Sequence, residues 1–418
     1  MLRLVHAALL VLACHPLTAA PASAQSGTQP EPAEPPPVTG PAGDSGDVEF
    51  PGWQLPGWSF TPSMAIGAVH DSNVALTSAR ADLGRTEGDW LFSIGPAGRL
   101  RYAGRRSDFT AGYRGAFRRH LEVNGLDAFS QRATLGFTRA MSRRWSLSVR
   151  NSFADAPTTD EVEVNGVPFR RNGSRSNVAG VGADIRLTKL TTLAARYDMT
   201  WVSFDRQDEQ LLGGSIHGVR ADVGRQVSRR LSLGGEYGYR TATLDGSERR
   251  FSFQDVGAVA RYDLGPHTRA TASTGLGSLH DRNEGTTRNG PYVQLGIAQR
   301  LPHMQVGGSF ERQYVPSFGF GGASSSQQIR GYAQGPLGIR RTVGQLSLTW
   351  RRTNPFQDST LEADTLWLRS TVSYAATPWS HVQAFYTYSL QDSIVTGGEV
   401  DRHRIGVQVV VSQPMRLQ

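Results

Sequence analysis

Apolar and polar residues alternate along most of this chain, from residue 58 to residue 412. In one representative segment Val219 and Val223 stand on one face, while Arg220 and Asp222 stand on the other. Successive side chains of a β-strand point to opposite faces of its sheet, so the pattern predicts many strands, each with one apolar and one polar face. The apolar faces either pack on each other, as in a soluble sandwich, or face lipid around a closed barrel.

The lengths of the connections between these segments distinguish the two architectures. Short connections lie around residues 104–106, 142–144, 188–189, 228–230, 265–266, 302–303, 340–341 and 377–378. Longer connections, richer in acids and asparagine, lie around residues 70–89, 122–128, 155–175, 205–214, 245–251, 280–290, 315–327, 354–364 and 391–401. The two kinds alternate along the chain, as do the short periplasmic turns and long external loops of outer-membrane barrels. The segment 139–150 and its near copy 225–236 both place a Ser-Arg-Arg turn between two strands.

These connections predict the fold class, which is an all-β, transmembrane, up-and-down antiparallel β-barrel. Nine long loops and eight short turns join 18 strands. The number is 16 if one of the assigned hairpins does not form. An even number of strands leaves both ends of the barrel on the periplasmic side. A soluble secreted β-protein stays open as an alternative. A helical membrane protein is excluded, since no apolar run after the N-terminus approaches the ~20 residues of a spanning helix.

The chain divides into four predicted parts: a signal peptide 1–24, a Pro-rich periplasmic linker 25–57, the barrel 58–412 and a C-terminal tail 413–418. The signal has Arg3 ahead of a short apolar core, and an Ala-Ser-Ala cleavage site ends it. The linker has too little apolar surface to fold. A lipoprotein signal that ends at Cys14 is the alternative. Cys14 is the only cysteine, so cleavage after residue 24 leaves the mature chain without a disulfide.

The polar faces of the strands would line the lumen of such a barrel. The predicted lumen-lining residues are Arg114, Arg186, Arg196, Asp198, Arg220, Asp222, Glu236, Arg240, Arg261, Asp263, Arg269, Arg369 and Arg404. Cations outnumber acids in this set, and the chain carries a net charge of +8. Part of the set pairs across strands as a structural ladder, and the remaining arginines predict a positive lumen that favours anionic solutes. The arginines are spread along an exported chain, which argues against nucleic acid as a partner.

The sequence predicts no catalytic residue, metal site or cofactor. His70-Asp71 and His280-Asp281 bring a base and an acid together, but both pairs begin long loops, where such residues are common in solvated turns. The acids of one long loop are Asp155, Asp160, Glu161 and Glu163. We expect these acids to be solvated rather than to hold calcium. The histidines are scattered, without the spacing of metal ligands.

Two short segments resemble a known group of proteins. Residues 65–74 read Ala-Ile-Gly-Ala-Val-His-Asp-Ser-Asn-Val, which resembles the first strand and first loop of porin-like outer-membrane β-barrel proteins. Residues 404–414 are similar to the closing strand of the same group. The resemblance implies a barrel from residue 58 onward, and some members of the group are associated with exopolysaccharide production or export. The chain ends Met415-Arg416-Leu417-Gln418, without the terminal aromatic residue that the assembly machinery reads in many such barrels.

Two functions are compatible with this architecture. The first is a porin-like pore for passive or solute-selective diffusion, with a mild anion preference from the lumen arginines. The second is a non-conducting barrel that acts as an anchor or as a component of an envelope or exopolysaccharide export assembly. Both place the chain in the bacterial outer membrane, in contact with membrane lipid and with the barrel-assembly machinery. Anionic solutes or polysaccharide are the further partners to expect, and neither function is enzymatic.

Overall fold

The computed structural model describes residues 57–78, 88–123, 125–162, 166–206, 211–246, 249–318, 322–356, 362–393 and 396–417. The predicted signal peptide 1–24, the linker up to residue 56 and the alternative lipidation at Cys14 lie outside the described residues, and their assignment stays a prediction.

The described residues form a sheet of long antiparallel strands. The strands are β1 Gly57–Asp71, β2 Asp89–Ala103, β3 Ser107–His120, β4 Ala128–Ala140, β5 Trp145–Ala156, β6 Ser174–Arg186, β7 Thr191–Phe204, β8 Gly214–Gln226, β9 Leu231–Leu244, β10 Arg250–Gly265, β11 Thr268–Asp281, β12 Thr287–Arg300, β13 Gln305–Ser317, β14 Gly322–Pro336, β15 Thr342–Pro355, β16 Ala363–Ala375, β17 Ser380–Ser393, β18 Gly398–Ser412 and β19 Met415–Leu417. One turn of 3₁₀ helix, Thr159–Glu161, lies between β5 and β6. Within the described ranges no helix is long and apolar enough to cross a membrane.

The sheet closes on itself into a barrel. Each of the 18 long strands pairs antiparallel with its neighbour in sequence, and β18 pairs with β1 from Ser63↔Ser412 to Asp71↔Arg404. The predicted all-β barrel of 18 strands is therefore confirmed. The segment predicted as a C-terminal tail contains the short strand β19, which extends the closing edge by pairing with Trp58–Phe60 of β1.

The two Ser-Arg-Arg copies form the same tight turn. In the first copy the Ser142 hydroxyl accepts a hydrogen bond from the backbone N–H of Arg144 at 3.0 Å, and in the second Ser228 accepts from Arg230 at 3.2 Å. Serine hydroxyls stabilise turns by bonding the backbone two residues ahead. Short turns of this kind lie at one end of the barrel and long loops at the other, so the predicted alternation of connections is also found.

The wall of the barrel has an apolar outer face and a polar inner face. On β8 the outward Val219 and Val223 are 53% and 46% exposed, whereas the inward Asp222 is 8% exposed. The same division holds on β10, where Ala258 is exposed and Val259 is buried. Closure pairs the backbone groups of the wall, so an apolar exterior can face hydrocarbon without unsatisfied polar atoms. The chain is thus a barrel of the bacterial outer membrane.

Candidate functional site: the lumen and its inserted loop

The loop between β5 and β6 folds into the barrel at the long-loop end. Its 3₁₀ turn Thr159–Glu161 is buried inside the lumen. The Thr159 hydroxyl donates to the carbonyl oxygen of Pro168 at 2.7 Å and accepts from the backbone N–H of Arg170 at 2.7 Å. The two sides of the loop are therefore tied together, and backbone groups inside the barrel are satisfied within the loop itself.

Arg402 of β18 ties this loop to the wall. Its side chain is 3% exposed, and its Nε lies 3.0 Å from both carboxylate oxygens of Asp71 on β1. Its Nη1 lies 2.9 and 3.0 Å from the two carboxylate oxygens of Asp160 in the loop. One guanidinium thus joins the first strand, the last long strand and the inserted loop through charge-assisted hydrogen bonds, which are stronger than neutral ones.

Glu161 forms a second ionic contact beside the first. Its Oε1 lies 2.7 Å from Nη1 of Arg118 on β3 and 3.1 Å from Nη1 of Arg404 on β18. All three side chains are at most 5% exposed. Together with Asp71, Asp160 and Arg402, they form a cluster of three carboxylates and three guanidinium groups, which we call the loop anchor. Opposite charges balance within it, as burial of ionised groups requires.

The charges of the loop are set by this environment. Burial by itself would raise the pKa of Asp160, but the positive charge of Arg402 and a hydrogen bond from Thr158 hold that pKa below its ordinary value. Burial and the charge of Arg402 also lower the pKa of Arg171, which donates to two backbone carbonyl oxygens of neighbouring long loops at 2.9 and 2.7 Å. Asp160 is therefore ionised at neutral pH and holds the loop through its charge.

A second set of contacts aligns the loop with β16 and β17. The side chain of Gln391 accepts from the backbone N–H of Phe169 at 2.7 Å and donates to the carbonyl oxygen of Val167 at 3.0 Å. The Trp367 indole N–H donates to the carbonyl oxygen of Asp160 at 3.2 Å, and its ring centroid lies 5.8 Å from that of Phe169. Polar and aromatic contacts therefore fix the loop on the wall formed by β16, β17, β18, β1 and β3.

The far side of the loop reaches the opposite wall. Val167 belongs to a buried apolar cluster with Val202, Phe204, Leu211, Ala242, Leu244, Phe251, Phe253, Leu279, Phe318 and Ala323. Gly166 makes the approach possible, because its φ is +62° and a Cβ there would lie 1.9 Å from Oγ of Ser317. The Ser317 hydroxyl donates to the Gly166 carbonyl oxygen at 3.2 Å. The loop therefore crosses the lumen from wall to wall.

The structure places all 13 residues predicted to line the lumen at inward positions of their strands. Many of them form the cross-strand pairs that the ladder alternative expects. The pairs are Arg196 with Asp184 and Asp222 at 3.4 Å, Arg261 with Asp222 at 3.3 Å, Arg240 with Asp255 at 2.9 Å, and Arg269 with Asp263 at 2.8 Å. Arg404 is drawn into the loop anchor instead. That a solute passes these residues stays a prediction.

Water access differs along the inner wall. In the loop anchor the side chains of Arg118 and Arg402 are each 3% exposed. Away from the loop, the inward pair Arg150 and Asp198 is 50% and 42% exposed although its atoms approach to 2.6 Å, and Arg261 is 40% exposed. The inner wall is thus dry where the loop packs against it and accessible to water elsewhere.

Some expectations drawn from the sequence were wrong. Asp71, Asp160 and Glu161 are buried in ion pairs, not solvated, because the loop turns into the barrel instead of out into water. Asp281 does act as a turn residue, since its carboxylate accepts from the backbone N–H groups of Asn283 and Glu284 at 2.9 and 3.3 Å. Glu163 lies outside the described residues. Among the described residues no cluster of possible metal ligands is found.

The loop anchor was missed by sequence reasoning, although part of it had a signal. Arg118 and Arg402 stand at inward positions, four residues from Arg114 and two from Arg404, so strand alternation could have assigned both. The alternation of apolar and polar residues could not assign Asp160 to the lumen, because that alternation stops at the end of β5. The segment Asp71-Ser72-Asn73, which carried the resemblance to porin-like barrels, joins β1 to β18: Asp71 binds Arg402, and the Asn73 side-chain amide donates to the carbonyl oxygen of Asp401 at 2.9 Å.

Several solved structures are similar to this chain over most of its length. OccAB4 of Acinetobacter baumannii is 11% identical, with 87% of this chain and 99% of that chain aligned at a TM-score of 0.42. OpdQ of Pseudomonas aeruginosa is 9% identical, over 87% and 100% of the chains, at 0.42. OccK9 (OpdG) of P. aeruginosa is 13% identical, over 86% and 98%, at 0.43. The sequence matches no family model and no curated protein. At these scores the likeness bears on neither solute nor ancestry.

Proposed function

We propose that this barrel is a diffusion channel for small solutes, narrowed by the β5–β6 loop and selective for anions. The observation that carries the proposal is the water exposure of inward charges away from the loop, at 50% for Arg150 and 40% for Arg261. Charged groups that stay half exposed inside a barrel require water around them, since removal of ionised groups from water is costly even when they are paired. An aqueous lumen narrowed by an inserted loop is the geometry of a constricted channel.

The distribution of charge supports a preference for anions. Arg196 lies 3.4 Å from both Asp184 and Asp222, and Arg261 lies 3.3 Å from Asp222, so these four groups balance each other. The surplus of cations comes from the inward set as a whole, in which nine of the 13 predicted lining residues are arginines. Arg186 adds another exposed cation near the short-turn end of the same wall. A lumen with surplus cations has a positive potential, which raises the local concentration of anions and lowers that of cations.

Single-channel recording in planar bilayers tests the proposal. The wild-type protein should conduct, and its reversal potential under a salt gradient should show anion preference. The double variant Arg196→Gln/Arg261→Gln should reduce that preference. The control Arg352→Gln, on the outer face of β15 and paired with Asp364, should leave it unchanged. Cation preference in the wild type would contradict the assignment of the lumen charges.

Loosening the loop anchor tests the part that the loop plays. The double variant Asp160→Asn/Glu161→Gln removes the charges that bind Arg402, Arg118 and Arg404. We expect larger and noisier conductance from this variant, because the loop then lacks the ion pairs that hold it across the lumen.

The alternative is a non-conducting barrel that serves as an anchor or as part of an envelope or exopolysaccharide export assembly. One observation favours it, namely that the loop is fixed at both walls, by Arg402 on one side and by the Gly166–Ser317 contact on the other. Absence of current in both the wild type and the Asp160→Asn/Glu161→Gln variant would favour this alternative over a channel.

A further inference from the structure

The short turns of the barrel carry many cations and no acids. Their basic residues are Arg105, Arg106, Arg143, Arg144, Lys189, Arg229, Arg230, Arg340 and Arg341. All nine are exposed, and no Asp or Glu stands in any of the eight turns. The described parts of the long loops carry both signs of charge and more acids than cations: the acids are Glu122, Asp127, Asp160, Glu161, Asp205, Asp245, Glu284 and Glu362, and the cations are Arg170, Arg171, Arg206, Arg249 and Arg282. The barrel is therefore asymmetric in charge, and the short-turn end is basic.

Exposed apolar side chains stand beside these cations. Leu187 and Leu190 flank Lys189 and are both 50% exposed, and Val227, beside Ser228-Arg229-Arg230, is 61% exposed. Trp379 in the turn between β16 and β17 is 54% exposed. Apolar groups next to arginine and lysine are typical of surfaces that lie in the headgroup region of a membrane, where one part of the surface meets acyl chains and the other meets phosphates. We call this ring of turns the basic rim.

The turn between β14 and β15 concentrates both features. It spans residues 337–341 and exposes Leu337 at 50% and Ile339 at 66% beside Arg340 and Arg341. Two hydrogen bonds fix it, from the N–H of Leu337 to the Thr342 carbonyl oxygen at 3.2 Å and from the N–H of Thr342 to the Ile339 carbonyl oxygen at 3.1 Å. Arg341 has a φ of +62°, a conformation that suits glycine.

We propose that the basic rim binds anionic phospholipid headgroups of the periplasmic leaflet, and that Arg340 and Arg341 form one headgroup site. The planar guanidinium presents two parallel N–H groups to phosphate oxygens, a geometry that a single ammonium cannot offer. Ile339 enters the acyl layer beside them. The complementary charge and the apolar neighbours together favour a membrane surface over a soluble acidic polymer, because the polymer would leave Ile339 and Leu337 in water. The site does not depend on conduction through the lumen.

Lipid retention by the purified full-length protein tests the site. The protein is held in micelles with equal amounts of phosphatidylglycerol and phosphatidylcholine, and native mass spectrometry counts the lipids that stay bound. The wild type should retain phosphatidylglycerol preferentially. The variant Arg340→Gln/Arg341→Gln should weaken phosphatidylglycerol binding at this one site roughly thirtyfold, since each basic residue near an anionic surface contributes roughly fivefold. The number of phosphatidylglycerol molecules that stay bound should fall accordingly. The matched control Arg206→Gln/Arg282→Gln, at the long-loop end, should retain lipid like the wild type.

Heat-modifiable gel mobility is the control for folding. A variant that shows the mobility shift on heating is a folded barrel, so its loss of lipid binding reports on the site. Three outcomes would overturn the proposal. Equal retention of the two lipids by the wild type would show that the rim does not select anionic headgroups. Equal losses in the two double variants would show that the effect is general charge rather than a site. Displacement of phosphatidylglycerol by soluble anionic peptidoglycan fragments would assign the rim to the cell wall.

Discussion

Removal of Arg402 should destabilise the barrel far more than removal of a similar arginine that is in contact with water. The variant Arg402→Leu leaves Asp71, which is fully buried, and Asp160, whose side chain is 6% exposed, without their main cation. Loss of one partner from a buried ion pair costs about 3–5 kcal/mol, because the remaining charge is left uncompensated. Arg404 Nε still lies 3.7 Å from Oδ2 of Asp71 and partly compensates its charge. We therefore expect one loss of this size in the free energy of unfolding, not one for each carboxylate.

Arg150→Leu is the matched control. Arg150 also faces inward and lies 2.6 Å from Asp198, but the two side chains are 50% and 42% exposed. Water and salt screen such a pair, so its loss should cost at most about 1 kcal/mol. Arg402 binds two carboxylates and Arg150 binds one, so the two variants differ in the number of ionic contacts as well as in burial. A loss far larger for Arg402→Leu therefore reports on the buried cluster as a whole.

The assay is reversible unfolding in lipid vesicles by urea, followed by tryptophan fluorescence. Addition of Asp160→Asn to Arg402→Leu should recover most of the lost free energy of unfolding, since Asp71 and Glu161 then face Arg118 and Arg404 and the charges balance again. Equal free energies of unfolding for Arg402→Leu and Arg150→Leu, within about 1 kcal/mol, would refute the view that a buried ionic cluster holds the loop.

Three further predictions concern the wall and the loop. Ala258→Arg should impair folding into bilayers by about 2–4 kcal/mol, whereas Val259→Arg should be tolerated; the reverse order in vesicle folding would invert the assigned faces of β10. Because the pKa of Asp160 is lowered in the folded chain, its stabilisation is complete above about pH 4 and is lost as pH falls through the lower folded pKa. Channel noise should therefore rise only in that acid range. Gly166→Ala should displace the loop and alter conductance, unlike Gly125→Ala, where φ is also positive but space is open.

The wall of this barrel was predictable because it obeys two local rules. Side-chain alternation assigned Arg220 and Asp222 to the inside and Val219 to the outside, and one-residue slips would have placed charges in lipid. Turn lengths gave the number of strands. Two of the tight turns, at Ser142 and Ser228, also carry a recognisable serine signal. Both rules act between near neighbours, which is why they can be read from one sequence.

The loop anchor was not predictable from the same rules. Asp160 meets Arg402 across 242 residues of chain, and the sequence around Asp160 is that of an ordinary acidic loop. Its direction depends on contacts with both walls, among them the apolar contact of Val167 and the close approach at Gly166. Apolar residues in a long polar loop are one sign in the sequence that the loop packs against the protein. They do not identify the residues that the loop contacts.

The position of Arg402 in the chain also determines the order in which the barrel can be assembled. It joins Asp71, which lies 331 residues earlier, to Asp160, which lies 242 residues earlier. Contacts between distant parts of a chain form late, because the intervening loop must first be closed. Until β18 reaches β1, Asp160 lacks its cation and is better solvated by water than by the lumen. The constriction therefore forms together with closure, and a chain cut before its last long strand would lose both at once.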